Sequence, residues 1–580
     1  MSKAAIAICT ALSVSATALS AWAAPVADLV YVNAKVVTVD PKFSIQEAVA
    51  VSGDKIVGVG STAAMKTLAK PGARIVDLGG KTMLPGFNDN HVHLGEPLMD
   101  WKYSSMIGQV VPWLVGADTI PKVLAAVKGQ AEKLPKGTWI IGELPREEWP
   151  NGTEPLLKDF DTVAPDHPVA IARGPHTLLV NTKALEIAKV TKETHLPGGE
   201  ILRDAEGNLN GKILESARRV IWDAMPAGSR GGAFTTEAKF DDWRTLLTQL
   251  ESLGITSINV AGVRPNDLKN VDEFYNRYGE AMPRAVVQLR LSPGYDSYSN
   301  LEEGAKQAIA ELDAFGTDRS KVFANPKLKL GAVKMSIDGG LSAPVFWSIK
   351  EYDNRPGFHG QIRIPDKTFY AVANHAHQLG WQLGIHTMGD GAVRMVADEI
   401  EKVLTAKPRA DHRHYMHHVA AQPPLATMQK MGKLGINVAS QPGFLLSLGS
   451  YADEALDPVA ENRQNPSRSL LENGVRVSYG SDAGPYGPIG GIFAAVTRVG
   501  WNGKVHGIEE AVTVKEAIQM HTLEPAYFTF DEKTKGSIEV GKLADFVVLS
   551  DDILTIDPMR IQDVKVLRTV IGGKEVFVRP

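Results

Sequence analysis

Eight short apolar, β-branched runs recur along this chain, separated by stretches with helical spacing, and no other feature narrows the fold so far. They are Leu84 to Leu94, Ile255 to Val260, Ala285 to Leu289, Leu328 to Met335, Trp381 to His386, Arg413 to His418, Gly435 to Ser440 and Val475 to Asp482. Strands that alternate with helices pair in parallel, because a parallel connection needs a crossover long enough to hold a helix. Eight such units predict an α/β protein built on a (β/α)8 barrel. Functional groups in that architecture sit at the carboxyl ends of the strands. His91, His93, Lys334, His386, His417 and Asp482 fall there, with Asp338 on the continuation of the fourth strand.

The first run, Leu84-Pro85-Gly86-Phe87-Asn88-Asp89-Asn90-His91-Val92-His93-Leu94, ends in two histidines one residue apart. Side chains alternate along a strand, so His91 and His93 share a face while Val92 packs on the other. Two neutral imidazoles so placed can hold one divalent ion. A lone His-x-His pair is more often structural than ligating, and the assignment rests on the ligands that follow in later strands.

The order of these residues, His-x-His on strand 1, Lys on strand 4, His on strands 5 and 6 and Asp on strand 8, resembles the amidohydrolase superfamily. Several local signatures are similar to its amidohydrolase-3 group, the YtcJ-like and N-substituted formamide deformylase-like hydrolases. They are Pro85-Gly86-Phe87-x-Asp89-x-His91-Val92-His93, Gly254-Ile255-Thr256-Ser257, Val333-Lys334 followed by Asp338-Gly339, and His386-x-x-Gly389-Asp390. Later come Gly480-Ser481-Asp482-Ala483 and the closing run from Gly536 to Phe546. The likeness covers essentially everything after the first two dozen residues.

The resemblance implies a divalent metal centre of one or two ions, with zinc the first choice among zinc, manganese, iron and cobalt. His91, His93 and Asp482 would hold one ion, and His386 and His417 a second. An ammonium cannot bind a cation, so Lys334 joins this set only when carboxylated by CO2 to a carbamate. Otherwise Lys334 pairs with Asp338 and the centre is mononuclear. On strand 6 the family shows His-Arg-Ile-Glu-His, whereas this chain offers His412, His414, His417 and His418. Alternation puts Arg413, Tyr415 and His417 on one face and His414, Met416 and His418 on the other. His417 is the choice because the residues after it fit the family pattern best, and His418 is the second.

The chemistry follows from charge. A divalent ion lowers the pKa of coordinated water to about 7 and polarises a carbonyl. Asp482, the catalytic residue of this reading, accepts the proton and passes it to the departing nitrogen. The expected function is metal-dependent hydrolysis of a C–N bond in a small amide, formamide, carbamate or cyclic amide. An esterase or lactonase on the same site, and a catalytically idle binding or regulatory protein, are the alternatives.

Outside the barrel, residues 24–82 and 536–580 alternate apolar and polar in short runs. Neither part has strands enough for a sheet of its own, so both ends are expected to form one small β-sandwich. The barrel domain is 83–535, and its stretch 94–254 is an insertion far longer than an ordinary βα loop, expected to form a lid. In that insertion the family reads Arg-x-Asp-Gly-His where this chain has Arg173-Gly174-Pro175-His176, which makes Arg173, His176 and, from the barrel, Asp338 the candidate substrate-binding residues. Trp101, Trp113, Trp149, Phe346 and Trp347 are pocket or core.

Residues 1–23 read as a secretory signal peptide, with Lys3, an apolar run from Ala4 to Leu19 and a small-residue cleavage pattern at Ala21-Trp22-Ala23. Removal leaves a periplasmic or secreted enzyme without stable membrane association. The single cysteine, Cys9, lies in this leader, so the mature chain is expected to have neither disulfide nor thiolate ligand. A net charge of −4 with both signs interspersed offers no footprint for nucleic acid or an anionic membrane. The partner is a small-molecule substrate, and the family resemblance adds a homodimer.

Overall fold

A computed structural model describes residues 27–94, 104–226 with gaps at 106–107, 110–111, 115–116, 118, 145–153, 174–175 and 197, 236–291, 301–482 with gaps at 342–344, 354 and 456–463, and 487–580. The leader with Cys9, and also Trp101, Trp149 and Ala483, lie outside the described residues.

The eight expected strands form one parallel sheet in chain order: β1 (Phe87–Val92), β2 (Ile255–Val263), β3 (Arg284–Arg290), β4 (Leu328–Ser336), β5 (Leu383–Thr387), β6 (Tyr415–His418), β7 (Asn437–Ser440) and β8 (Val477–Tyr479). The sheet curls into a nearly closed barrel: Val92 bridges to Asp482 beyond β8, and the Asp482 N–H donates to the His91 carbonyl at 2.6 Å. Sequence dictates the period: the three middle apolar residues of β3, Val286, Val287 and Leu289, are buried, as is Gln288 between them, because both faces of a barrel strand are covered. Helices such as Leu268–Tyr278, Asp366–Gln378 and Asp390–Ala406 follow their strands and bury their apolar sides in one large core.

Gly86 marks the step from flanking sheet to barrel. Immediately before it, Thr82–Pro85 pairs antiparallel with Phe546–Leu549 from the tail, and immediately after it β1 begins. A Cβ on Gly86 would lie 2.2 Å from the Thr256 hydroxyl, so only glycine allows β1 and β2 to pack this closely. Two sheets flank the barrel. The first has four strands, all from the N-terminal part, so that part forms a sheet of its own against the expectation, because its strands pair with one another between Ala27 and Asp77; the second joins Lys35–Val37, Ile45–Gln46 and Thr82–Pro85 to three strands from Phe546 to Val578. Tyr31, Val49, Val51 and Ile56 of the first sheet share a buried cluster with Val36, Met83, Phe546, Val548 and Val570 of the second.

The insertion after β1 holds a sheet of its own, in the order Ile140–Leu144, Val169–Arg173, Thr177–Val180, Leu209–Glu215 and Gly199–Arg203. Each face has a separate apolar cluster, one around Leu178, Ile213 and Trp222, the other around Phe160, Ile171 and Leu179. Two cores make this a folded unit, more than the loop-like lid that its length alone suggests.

Candidate active site

The carboxyl ends of β1 and β8 meet at three potential ligands. His91 Nε2 is 3.3 Å from His93 Nε2, and Asp482 Oδ1 is 3.1 Å from His93 Nε2 and 3.6 Å from His91 Nε2. One ligand atom from each of the three lies within 4.8 Å of the others, a separation that a single ion can span. Asp482 reaches this point from a left-handed backbone, φ 56°, which turns the chain out of β8 toward β1. Burial, followed by the Lys334 charge, holds the His91 imidazole well below its ordinary pKa, leaving it neutral. Burial opposes ionisation of Asp482, yet the His93 hydrogen bond and charge win and hold its carboxyl well below the usual range. A neutral His91 imidazole beside an ionised carboxylate is the kind of donor pair that a divalent cation requires.

Asp89 braces this junction. Its Oδ1 accepts from the His91 N–H at 3.1 Å and from the Ser481 N–H at 2.9 Å, tying the chain before His91 to the chain before Asp482. Burial pushes its pKa up to about 6. Asp89 stands inside the first motif, but nothing in a one-dimensional pattern shows that its acceptors face β8.

Lys334 lies on β4, 3% exposed and in register with Arg290 and Gly384 on its neighbours. Its charge acts on His91, His417, His418 and Asp482 together.

Strand β6 departs from simple alternation. His417 follows the expected inward face with Tyr415: its Nε2–H donates to Gln288 Oε1 at 3.0 Å, and its ring centroid is 4.3 Å from that of His91. Its Nδ1 is buried without a hydrogen-bond partner among the described residues. His418, expected on the opposite face, has φ 72° and is followed by Val419 at φ 54°. Left-handed backbone breaks the two-residue period and swings His418 back to the site. Its ring lies 4.4 Å from His386 and 4.9 Å from His91, and its Nδ1 is 3.8 Å from Asp482 Oδ2. A β-branched residue at positive φ is costly, and such strain concentrates at functional sites.

Two glutamines orient these rings. Gln441, just after β7, accepts from His418 Nδ1–H at 2.6 Å, which fixes the tautomer and leaves the lone pair on Nε2. Gln288 does the same for His417 and donates in turn to Asn259 Oδ1 at 3.3 Å. Neither glutamine carries a motif signal in the sequence.

Asp338 is a brace between strands. Its oxygens accept N–H bonds from Met388 at 2.9 Å, Gly389 at 2.8 Å and Trp347 at 3.0 Å, and Oδ1 is 3.6 Å from His386 Nε2. Three backbone donors occupy the carboxylate that the sequence offers to substrate, and burial pushes its pKa up to about 7. Arg173 pairs with Glu154, which Lys212 also contacts at 2.6 Å.

His176 does reach the barrel mouth. Its ring packs on Gly340, where a Cβ would lie 2.3 Å from Nε2, and its Nδ1 is 3.1 Å from Glu215 Oε1. Glu215 also pairs with Arg363 and accepts from the Gly340 N–H at 2.8 Å. Burial works against its charge, but Arg363 and then His176 hold the carboxyl well below its ordinary range. This buried glutamate, the last residue of an insertion strand, fastens the insertion to the barrel face. The wall beside His418 is apolar: Phe444 stacks on it at 6.2 Å and joins Leu341, Phe346, Tyr352, Met388 and Leu448.

The sequence model of the amidohydrolase family matches residues 74–577, spanning the barrel, the insertion and the tail strands of the second flanking sheet. The chain belongs to the amidohydrolase family. This amidohydrolase is 29% identical over 569 residues to the N-substituted formamide deformylase of Arthrobacter pascens, covering 94% of this chain and 97% of that one. YtcJ of Bacillus subtilis (strain 168) is 28% identical over 549 residues, 92% of this chain and 96% of the relative. Among solved structures, an uncharacterized metal-dependent hydrolase from Pyrococcus horikoshii OT3 superposes with a TM-score of 0.67 at 21% identity, covering 91% of this chain and 99% of that chain. That likeness supports the fold of the amidohydrolase seen here.

Proposed function

We propose that this amidohydrolase is a metal-dependent hydrolase that cleaves a C–N bond in a small organic amide, formamide, carbamate or cyclic amide. The observation that carries the reading is the convergence of His91, His93 and Asp482 within 4.8 Å at the barrel's carboxyl end. The formamide deformylase among the relatives supports the substrate class.

In this reading His91, His93 and Asp482 hold one divalent ion, zinc being the first choice. His386 with His418 holds a second, as their 4.4 Å ring separation and the Gln441-fixed tautomer favour. His417, whose Nδ1 is also orphaned, is the alternative. A bound ion supplies Lewis-acid polarisation of the carbonyl and acidifies water. Asp482 accepts a proton at its carboxylate and returns it to the departing nitrogen. His176, oriented by Glu215, faces substrate from the insertion, and the Phe444 wall accepts its apolar part.

Carboxylation of Lys334 completes the set. CO2 adds to the neutral amine, a proton leaves, and the positive charge felt by His91, His417 and His418 becomes negative. The two flanking sheets are read as one small sandwich from both chain ends. Export to the periplasm and a homodimer belong to the same proposal. Among the described residues no helix is long and apolar enough to cross a membrane.

The test is elemental analysis of protein purified without chelator, paired with turnover of amides, formamides and matched esters. About one or two ions per chain with amide or formamide turnover is the expected result. Metal-independent turnover, or hydrolysis of esters alone, would overturn it.

A further inference from the structure

At the opposite end of the barrel from the histidines lies a cavity of about 640 Å³. Its walls come from the amino-terminal ends of the strands: Leu328 begins β4, and Gln382 precedes β5. From Leu328 to Lys334 is six residues of strand, a span of roughly 20 Å. The cavity is therefore separate from the candidate active site.

Two guanidinium groups converge in it. Arg319 Nη2 and Arg409 Nη1 come within 3.8 and 4.0 Å of the point where a side chain on Gly380 would begin, so both guanidiniums stand over Gly380. Arg319 Nη2 donates to the Gly380 carbonyl at 3.3 Å and Arg409 Nη2 to the Trp381 carbonyl at 2.5 Å. Arg319 Nη1 and Arg409 Nε are buried with no partner among the described residues, and neither arginine forms an ion pair there. Two carboxylates line the same cavity but are engaged. Asp411 bonds to Arg413, and Asp318 accepts from the Ser320 N–H and hydroxyl. Lys329 is held by Asp531 at 3.0 Å.

The two like charges stand side by side with unused N–H groups, and the Asp411 carboxylate in the same cavity offsets them only in part, at Arg409. Burial already lowers the pKa of both arginines, the direction expected of cations short of compensation. A guanidinium fork is suited to oxyanions, to which it makes strong, directional bonds. Val286, Phe323, Leu328, Leu330, Trp381 and Phe530 form an apolar part of the wall, while Thr317, Gln382, His412 and Thr529 add polar groups. Trp381 is 1% exposed, carries Arg319 over its ring at 4.2 Å, and has an indole N–H without a partner. The volume is in the range of small-molecule sites.

We propose that this cavity binds a small organic oxyanion, a carboxylate or phosphate monoester on an apolar body, with Arg319 and Arg409 as its charge partners. The body lies against the aromatic and aliphatic wall while the anion fills the space between the two guanidiniums.

Calorimetric titration of the full chain with benzoate, phenyl phosphate and inorganic phosphate tests this. At least one aromatic probe should bind about tenfold more tightly than inorganic phosphate, and added salt should weaken it. Arg319→Gln and Arg409→Gln should each weaken that binding about tenfold or more, with amide turnover unchanged. Arg319→Lys and Arg409→Lys keep the charge and should retain part of the affinity, and cooperative thermal unfolding of every variant shows that the fold is kept. Absence of binding by all three probes to the wild type would overturn the proposal. Binding that persists undiminished in both glutamine variants would overturn it as well, and equal affinity for inorganic phosphate and phenyl phosphate would overturn the apolar body.

Discussion

His93 Nε2 lies 3.1 Å from Asp482 Oδ1, joining the carboxyl end of the first barrel strand to that of the last. These residues are 389 positions apart, and only barrel closure brings them into contact. The same closure passes through the Asp482 N–H to His91 carbonyl bond and through Asp89, which accepts from both sides of the seam. Barrel architecture and ligand geometry are thus one feature: a distortion of the seam changes both.

Asp482→Asn removes the proton acceptor while keeping an oxygen of similar size at the same place. Turnover should fall by about 10³-fold or more, within the span expected for loss of general base and leaving-group protonation together. Metal content by elemental analysis should be kept. Retention of full turnover would remove Asp482 from its catalytic role.

Lys334→Ala removes the amine that would carry the carbamate. The protein should lose metal, in the limit one ion of two, and short carboxylic acids added to the assay should restore part of the activity by supplying the missing oxygens. Unchanged metal content per chain would refute the bridging carbamate and leave a mononuclear centre.

Much of this was legible in the chain. The eight apolar runs mark the barrel because both faces of each strand are covered, and His91, His93, Lys334, His386 and Asp482 are legible because they end those runs. What escaped detection depends on contacts between distant segments. Gln288 and Gln441 look like ordinary strand residues until His417 and His418 are placed against them. His418 reaches the cluster only through a positive φ that alternation forbids. Asp338 reads as a ligand for substrate because its three backbone donors come from 9, 50 and 51 residues away. The insertion's two cores are equally hidden, since its strands pair out of chain order.

Glu215→Gln should loosen the joint between insertion and barrel. Its carboxylate pairs with the buried Arg363 and with His176, and removing one member of such a buried set leaves an uncompensated charge. The expected destabilisation is about 3 kcal/mol, read by thermal or urea unfolding. kcat/KM should also fall, since the charged acceptor that fixes His176 Nδ1 becomes a neutral one. An unchanged unfolding midpoint would mean that the joint is held elsewhere.

Acid should unfold the barrel through a second group of histidines, away from the candidate site. His414 Nε2 and His377 Nδ1 are 2.9 Å apart, His377 Nε2 donates to the Lys407 carbonyl at 2.8 Å, and His412 Nε2 donates to the Leu434 carbonyl at 2.8 Å. The Leu383 N–H donates to His414 Nδ1 at 3.0 Å, and the His414 N–H to His412 Nδ1 at 2.9 Å. Every ring is used as a neutral donor and acceptor. Burial lowers all three pKa values and the Arg409 charge lowers them further, while the bonds to the Lys407 and Leu434 carbonyls oppose it at His377 and His412, as does the Asp411 charge at His412. Because the folded values lie below the unfolded one, the stabilisation is complete above about pH 6.5 and is lost as pH falls below it. Each histidine contributes at most about 1.4 kcal/mol per pH unit. Urea unfolding at pH 8, 6.5 and 5 should show that slope, and His377→Gln should reduce it; identical slopes would show that the network does not govern acid stability.

Strand β6 offers two histidines, and paired substitutions separate them. The His418 ring packs on His386 with its Nδ1 committed to Gln441, 3.8 Å from Asp482 Oδ2, so its Nε2 carries the lone pair. His417 is committed through Nε2 to Gln288 in the barrel floor, although its Nδ1 is free. His418→Ala should therefore lower metal content and abolish most turnover while leaving the unfolding midpoint nearly unchanged. His417→Ala should keep the metal but destabilise the fold, because it strips a hydrogen bond from Gln288 and opens space beside Tyr415, whose ring is 5.0 Å away. Loss of metal in His417→Ala with metal retained in His418→Ala would reverse the assignment. The strand-6 ligand would then be the one that simple alternation selects, and the left-handed turn at His418 and Val419 would serve to shape the pocket wall beside Phe444.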